Sequence, residues 1–576
     1  MVRSDKIWIV DDEPSVRFPI YTRGNAGEVF PNVVTPLTGS LFAEASVTAQ
    51  TALFLELGFI VPRDLEAGAA PLTGVFGGYL YLNLSIGRLA GARSPGLTPD
   101  AIDTQLYGTY GAPAYVRQPG DRNLIATARI LRGLVRTLRH PDVGYVDDVM
   151  RDAVAWVATL PEPAFASDRA LLDLVPTFPA RIERLFVALL RASTMSGTGR
   201  GIAEELLKRG GDGTQLVNRL TAGLGTIESA LPAQRMWDLG RLVAADNGLT
   251  AAFDAGVSGV GERIGHLQSD AANAFEHEFD SFLADHGHRG PDEYEFASPT
   301  WATRPEIAFA AVDRLRHAPL ERSPHVAQQR LAIERESTTA GALRSVARPL
   351  RPVLRRGLAA AIVGAAARER AKDAFVRELA GMRAVLDELV ARAQARGGPA
   401  ERRDCYLVTT GELEEFVDDP ARFAHVIAER AAQRDLLQAR VPPFWFEGRI
   451  PPPDTWELRA GSHGAPFTGV LHGIGVCGGV ASGRARVILD PADPRDIQPG
   501  DILVAPITDP AWTPLFLSVA AVVVDVGAQQ SHAAIVAREL GIPAVVSVTG
   551  ASHTIADGTW LDVDGDRGIV TVHPAR

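Results

Sequence analysis

Residues 520–546 decide the fold: Ala520-Ala-Val-Val-Val-Asp525-Val-Gly-Ala-Gln-Gln-Ser531-His532-Ala-Ala-Ile-Val-Ala-Arg-Glu-Leu540-Gly-Ile-Pro-Ala-Val-Val546. The run 520–524 is short and β-branched and is closed by Gly527, the pattern of a buried strand. From Ser531 the pattern turns helical. Ser531 suits an N-cap, Ala533, Ala534, Ala537 and Leu540 favour helix, and Gly541 with Pro543 stops it. Val545 and Val546 open another strand. His532 therefore falls in the first turn of a helix that leaves a glycine-containing loop.

Neutral imidazole is a nitrogen nucleophile near neutral pH, because an ordinary histidine titrates at about 6.5. A helix N-terminus disfavours the imidazolium and attracts an anion. A histidine at that position can attack a phosphoryl group and hold the product against backbone N–H groups. For one histidine among 13, a polar residue at a strand-to-helix turn is the simpler reading. The flanking sequence decides otherwise.

The segment Ser531-His532-Ala-Ala-Ile-Val-Ala-Arg-Glu-Leu-Gly-Ile-Pro-Ala-Val-Val546 resembles the swivelling phosphohistidine domain of the phosphoenolpyruvate-utilising and dikinase families. So do 475–484, 499–505, 508–516, Asp557-Gly and 563–570. The resemblance covers roughly 470–576 and implies that His532 is the phosphorylated residue, next to Ser531. One departure stands in the loop before it: the family's Gly-Gly pair is Gly527-Ala528 here, which stiffens the loop.

Composition sets the frame. With 576 residues, 46% hydrophobic and 22% charged, the chain is an ordinary globular sequence long enough for two to four domains. A net charge of −11 argues against non-specific nucleic-acid binding. Two cysteines, Cys405 and Cys477, make neither a disulfide framework nor a cysteine metal site. No signal-peptide pattern opens the sequence and no apolar run is long enough to span a bilayer, so no membrane association and a cytoplasmic location are expected.

Residues 1–120 read as irregular, rich in proline and glycine. The segment 25–42 reads as extended, and 76–85 alternates like one strand. Both stretches resemble the start of the acceptor domain of rifampicin phosphotransferase-like proteins. From about 120 to 275 the spacing is helical, with Leu124–Leu138 and Ala170–Ala192 the clearest cases. Gly197-Thr-Gly-Arg-Gly201 lacks the ending of a phosphate loop and reads as an inter-helix loop. His277, Asp280, His286 and His288 match no metal-ligand spacing, so no metal is expected.

The segment 282–290 with Glu293 and Trp301 resembles the Gly-His-Arg motif of the same proteins. Arg289 either holds phosphate with its planar fork of donors or pairs with Glu293. Arg368 and Lys372 lie at i, i+4 in an Ala/Arg-rich helical region over 320–400. They form either a solvated face or, by resemblance, a basic patch facing a phosphoryl-transfer cleft. Residues 404–413 resemble a further family segment, followed by Arg430 in the next helix. Residues 442–467, with Pro442, Pro443, Pro451, Pro452, Pro453, Gly461, Gly464 and Pro466, have linker composition.

The expected architecture is multidomain: a mainly α-helical acceptor domain over 1–441 with an irregular and β N-terminal part, a linker over 442–467, and a C-terminal α/β swivelling phosphohistidine domain over 468–576. No Walker motif, ATP-grasp segment or phosphoenolpyruvate barrel is recognisable. The resemblance then implies a two-component enzyme similar to phenylphosphate synthase or 4-methylbenzyl phosphate synthase, with ATP and Mg²⁺ bound by a separate ATP-grasp subunit. His532 would carry the phosphoryl group to a hydroxyl of a small organic acceptor, a phenol or cresol. Arg289, Arg368 and Lys372 would spread its charge, and His288 or Glu293 would take the acceptor's proton. A rifamycin-type acceptor, charging by phosphoenolpyruvate, and a non-catalytic binding protein are the alternatives.

Overall fold

The structure is a computed structural model. It describes residues 6–70, 72–95, 97–103, 111–139, 141–208, 213–224, 227–459, 467–489, 497–508, 512–529 and 531–574. The chain folds into two compact units. One comprises Met1–Thr198, Asp292–Ser298 and Val363–Ser462; the other comprises Gly199–Pro291, Pro299–Ile362 and His463–Arg576. These units cut across the boundaries expected at 441 and 468. Helices 231–316 group with the C-terminal sheet, and the stretch expected as a linker is ordered over 442–459. Residues 460–466 lie outside the described residues.

In the first unit, β1 (Ile20–Thr22), β2 (Thr73–Phe76), β3 (Tyr79–Asn83), β4 (Arg440–Val441), β5 (Trp445–Glu447) and β6 (Glu457–Leu458) are the strands. They form an antiparallel sheet in the order β2-β3-β1-β5 and a small β4-β6 ribbon. The strand expected within 76–85 is β3, the second arm of a hairpin whose first arm is β2. Phe76 faces Tyr79 across a two-residue turn, and Gly77 and Gly78 have φ of 58° and 80°. Both positions of such a turn need positive φ, which glycine supplies. Tyr21, Phe76, Tyr81 and Phe446 stack in the sheet's core.

The segment 25–42 is not extended. It holds short helices at Ala26–Val29 and Pro36–Thr38, then a π-turn running into the helix Glu44–Leu57. Pro36 occupies the first helical position, where its missing N–H is no loss, and the Thr35 hydroxyl accepts from Thr38 N–H. Pro36, in a segment that reads as extended, here starts a helix.

Gly197–Gly201 is not a loop either; it lies inside the helix Phe178–Leu207. A Cβ on Gly199 would sit 2.4 Å from Ala361 N, and one on Gly364 would sit 2.6 Å from Ser196 N. The glycines let this helix and the helix Arg351–Ala395 approach backbone to backbone, which no side chain would permit.

The second unit contains β7 (Gly469–His472), β8 (Ile474–Cys477), β9 (Val480–Val487), β10 (Ile502–Ala505), β11 (Ala521–Val524), β12 (Ala544–Val546), β13 (Trp560–Asp564) and β14 (Ile569–Val572). Their order is β7-β14-β13-β9-β10-β11-β12-β8. Strands β9 to β12 run parallel, and β8, β13 and β14 pair antiparallel at the flanks. Strands β10, β11 and β12 are buried along their whole length, as expected for a parallel sheet covered on both faces. On one face the helix His532–Leu540 shares a continuous apolar core with the helices Leu231–Ala245, Asp270–His286 and Pro305–Arg316, through Trp237, Phe279, Phe309, Phe516, Ala533 and Val536 among others. A separate core on the other face contains Val523, Val545, Ile555 and Leu561. No helix among the described residues is long and apolar enough to cross a membrane.

Candidate active site around His532

The strand β11 delivers the chain to a tight loop, and His532 opens the helix that follows. Ser531 is its N-cap, with φ −66° and ψ 161°, and its Oγ accepts the Ala534 N–H at 3.2 Å. Gly541 closes the helix in the left-handed conformation, φ 65°. The half-buried imidazole lies between two hydroxyls. Thr508 Oγ1 is 3.2 Å from Nδ1 and Thr513 Oγ1 is 3.3 Å from Nε2. The Phe516 ring meets the imidazole edge-on at 6.3 Å between centroids. A neutral imidazole has one N–H and one lone pair, so one threonine accepts and the other donates.

The loop before His532 is held at each step. The Ser547 hydroxyl donates to Gly527 O, the Ser531 N–H to Ala528 O, and the Arg538 guanidinium to Gln529 O. Arg200 Nη2 donates to Gln529 Oε1 at 2.9 Å. Arg200 is itself paired with Glu204 at 2.8 Å and bonded to Asn218. Ser547 adopts φ 57°, a left-handed conformation costly for a residue with a Cβ. The departure at Ala528 is accommodated: its backbone is not left-handed and its methyl is buried. The glycine the loop requires is Gly527, where a Cβ would lie 2.9 Å from Val546 Cβ.

Two buried carboxyls lie along this segment, Asp525 before the helix and Glu539 in its last turn. Burial pushes Asp525 up to about 7, although Ser552 N–H and Oγ–H both donate to it, at 2.7 and 2.5 Å. Burial likewise pushes Glu539 up to about 7; it accepts the Leu224 N–H at 3.1 Å. Neither residue stands out in the sequence, since each falls in an otherwise ordinary strand end or helix.

The other residues singled out from sequence are distributed between the units. His288 and Arg289 belong to the second, with Ser531 and His532. Arg289 is buried, and its Nη1 donates to Glu228 O at 3.2 Å. Glu293, Arg368 and Lys372 belong to the first. There the Lys372 ammonium pairs with Glu293 at 3.1 Å, and Arg368 pairs with Glu369 at 2.9 Å. Side-chain exposures of 16% for Lys372 and 19% for Arg368 do not describe a solvated face. Arg430 forms a two-pronged pair with Glu412 at 2.7 and 2.8 Å. Among the described residues, no group of three or more His, Cys, Asp or Glu could hold a metal ion. Thr508 and Thr513 lie in the segment 508–516 that carries part of the resemblance, but their place on either nitrogen of His532 shows only in the structure. Asp509, Pro510 and Ala511 lie outside the described residues.

Residues 189–378 match the rifampicin phosphotransferase fourth domain, and residues 497–568 match the mobile domain of PEP-utilising enzymes. An uncharacterised protein of Mycobacterium tuberculosis (strain ATCC 25618 / H37Rv) is 29% identical over 96% of this chain and 62% of its own length. The prodigiosin synthesizing transferase PigC of Serratia marcescens is 30% identical over 64% of this chain and 41% of its own. The rifampicin phosphotransferase of Bacillus subtilis (strain 168) is 38% identical over 30% of this chain and 19% of its own. The chain thus spans 62% of the length of the mycobacterial relative. The similarities thus lie in two separate regions, one like the rifampicin phosphotransferase fourth domain and one like the mobile domain of PEP-utilising enzymes.

Proposed function

We propose that this chain carries a phosphoryl group on His532 and passes it to a hydroxyl of a small organic acceptor, as part of an ATP-dependent, dikinase-type phosphotransferase. The observation that carries the reading is the imidazole itself: at the start of a Ser-capped helix, between Thr508 and Thr513, with its approach loop fixed by Ser547, Arg538 and Arg200. ATP with Mg²⁺, bound by an ATP-grasp protein, supplies the phosphoryl group. The imidazole lone pair attacks the β-phosphorus of ATP while the threonine on the other nitrogen accepts the imidazole N–H. The P–O bond to AMP breaks, so AMP leaves, and hydrolysis then releases the γ-phosphoryl group as phosphate. The helix N-terminus then favours the anionic product. In the second half, the acceptor oxygen attacks phosphorus, the P–N bond breaks, and the acceptor's proton passes to a base. Cationic side chains spread the charge of the transferring group, the role proposed for Arg289, Arg368 and Lys372. His288 or Glu293 is proposed as that base.

The acceptor is proposed to be a phenol or cresol, whose hydroxyl, like that of tyrosine with a pKa of about 10, ionises more readily than an alcohol. Similarity to rifampicin phosphotransferases supports a second reading, a rifamycin-type antibiotic. The test is intact mass and acid-labile phosphate on wild type and His532→Ala, each mixed with ATP, Mg²⁺ and an ATP-grasp protein. The charged protein is then chased with cresol or rifampicin. One phosphate on wild type alone, discharged by one acceptor, is expected. An unlabelled wild type that phosphoenolpyruvate labels through a barrel protein would replace the ATP reading.

A further inference from the structure

The helix Leu124–Arg139 in the first unit is attached along one side only. Ala126 is buried, its carbonyl lies against Gly58, and the Thr127 hydroxyl donates to Arg93 O at 3.0 Å. The opposite side is open and apolar. Leu124 is 87% exposed, Leu131 41% and Val135 44%, with Ala128 exposed between them. These four positions are spaced by 4, 3 and 4 residues, and Leu138 continues the series. That alternation is the heptad seam of one helix packing along another. Ile125, 68% exposed, lies beside this seam, and Ile130 and Leu134 next to it are half-buried.

The flank of the seam is basic. Arg129, Arg132, Arg136 and Arg139 are exposed, and no acidic residue occurs from 122 to 141, in a chain whose net charge is −11. Among the described residues none of these four arginines forms an ion pair. Arg132 and Arg139 each follow a seam residue by one position, the place from which charges select the partner helix in such packing. Two copies of this helix would set arginine against arginine, which opposes self-pairing.

We propose that this face docks an acidic amphipathic helix of another protein, with apolar residues at heptad spacing and Glu or Asp beside them. The test uses two designed, fluorescently labelled helical peptides with leucine seams, one flanked by glutamate and one by lysine. Their binding is followed by anisotropy on the intact chain, with circular dichroism to show that the variants, all at exposed positions, remain folded. Wild type should prefer the glutamate peptide by at least about tenfold, less so at high salt. Arg132→Glu/Arg139→Glu should invert the preference, and Leu131→Asp/Val135→Asp should abolish binding of both. Equal binding of the two peptides, or none, overturns the proposal. So does binding to phosphatidylserine vesicles, or concentration-dependent self-association, that Leu131→Asp/Val135→Asp removes.

Discussion

Thr513 Oγ1 stands 3.3 Å from Nε2 of His532, while Thr508 Oγ1 stands 3.2 Å from the ring's other nitrogen, Nδ1. The two threonines have opposite tasks. The one that accepts the imidazole N–H fixes the tautomer, and the other donates to the lone pair that the proposed reaction would use. Replacing the tautomer-fixing threonine by valine removes about one hydrogen bond, about 1 kcal/mol, and should slow labelling of His532 about fivefold to tenfold. Replacing the donating threonine should leave labelling unchanged or faster. Rapid-quench labelling of Thr508→Val and Thr513→Val tells the two apart, with His532→Ala as the unlabelled reference.

Asp525 gives a pH signature of defined sign. Its folded-state pKa, about 7, lies above the ordinary value of 3.8 because of burial. A raised carboxyl contributes stability that is complete below the unfolded pKa and is lost as pH rises through the folded one. Glu539 adds in the same direction. Asp525→Asn cannot ionise, so its stability relative to wild type should improve steadily from about pH 4 to about pH 7 and then level off. Denaturant midpoints at half-unit pH steps check this; a difference independent of pH would refute it.

Ser547 combines a strained backbone with a useful hydroxyl. Ser547→Ala keeps the strain and loses the bond to Gly527 O, so it should destabilise by about 1 kcal/mol. Ser547→Gly loses the same bond but gives up the left-handed penalty, also about 1 kcal/mol, and should be near neutral. Equilibrium unfolding of the pair decides it, with alanine expected to be the worse of the two.

Gly199 and Gly133 are both helical glycines with opposite surroundings. A methyl at 199 would strike backbone atoms of Ala361 and Gly357, whereas one at 133 meets nothing within 4 Å. Gly199→Ala should cost more than about 1–3 kcal/mol, because backbone cannot yield as a side chain can. Gly133→Ala should stabilise by about 0.5–1 kcal/mol through helix propensity. Thermal unfolding of the two variants gives shifts of opposite sign.

The strand, loop, cap and helix around His532 were legible because each is set by local chemistry: β-branched residues, Gly527, Ser531 and Gly541. The helical middle of the chain was legible through its spacing. What escaped were features that depend on distant atoms. Gly197–Gly201 looks like a loop until Ala361 is placed against it, and the segment around Pro36 looks extended until Thr35 caps the turn. Thr508 and Thr513 lie 24 and 19 residues before the histidine they bracket. The pairing of Lys372 with Glu293 joins residues 79 apart in sequence, beyond the reach of any i, i+4 argument.

The core that the His532–Leu540 helix shares with the helices over 231–316 has a thermal consequence. If the carrier is to travel, Ala533, Val536 and Phe516 must part from Trp237, Phe279 and Phe309, or the helices must travel with it. Attraction between apolar surfaces weakens on cooling. A carrier gripped in this way would slip free more readily in the cold, so that temperature, as much as phosphate, would govern how long His532 stays docked.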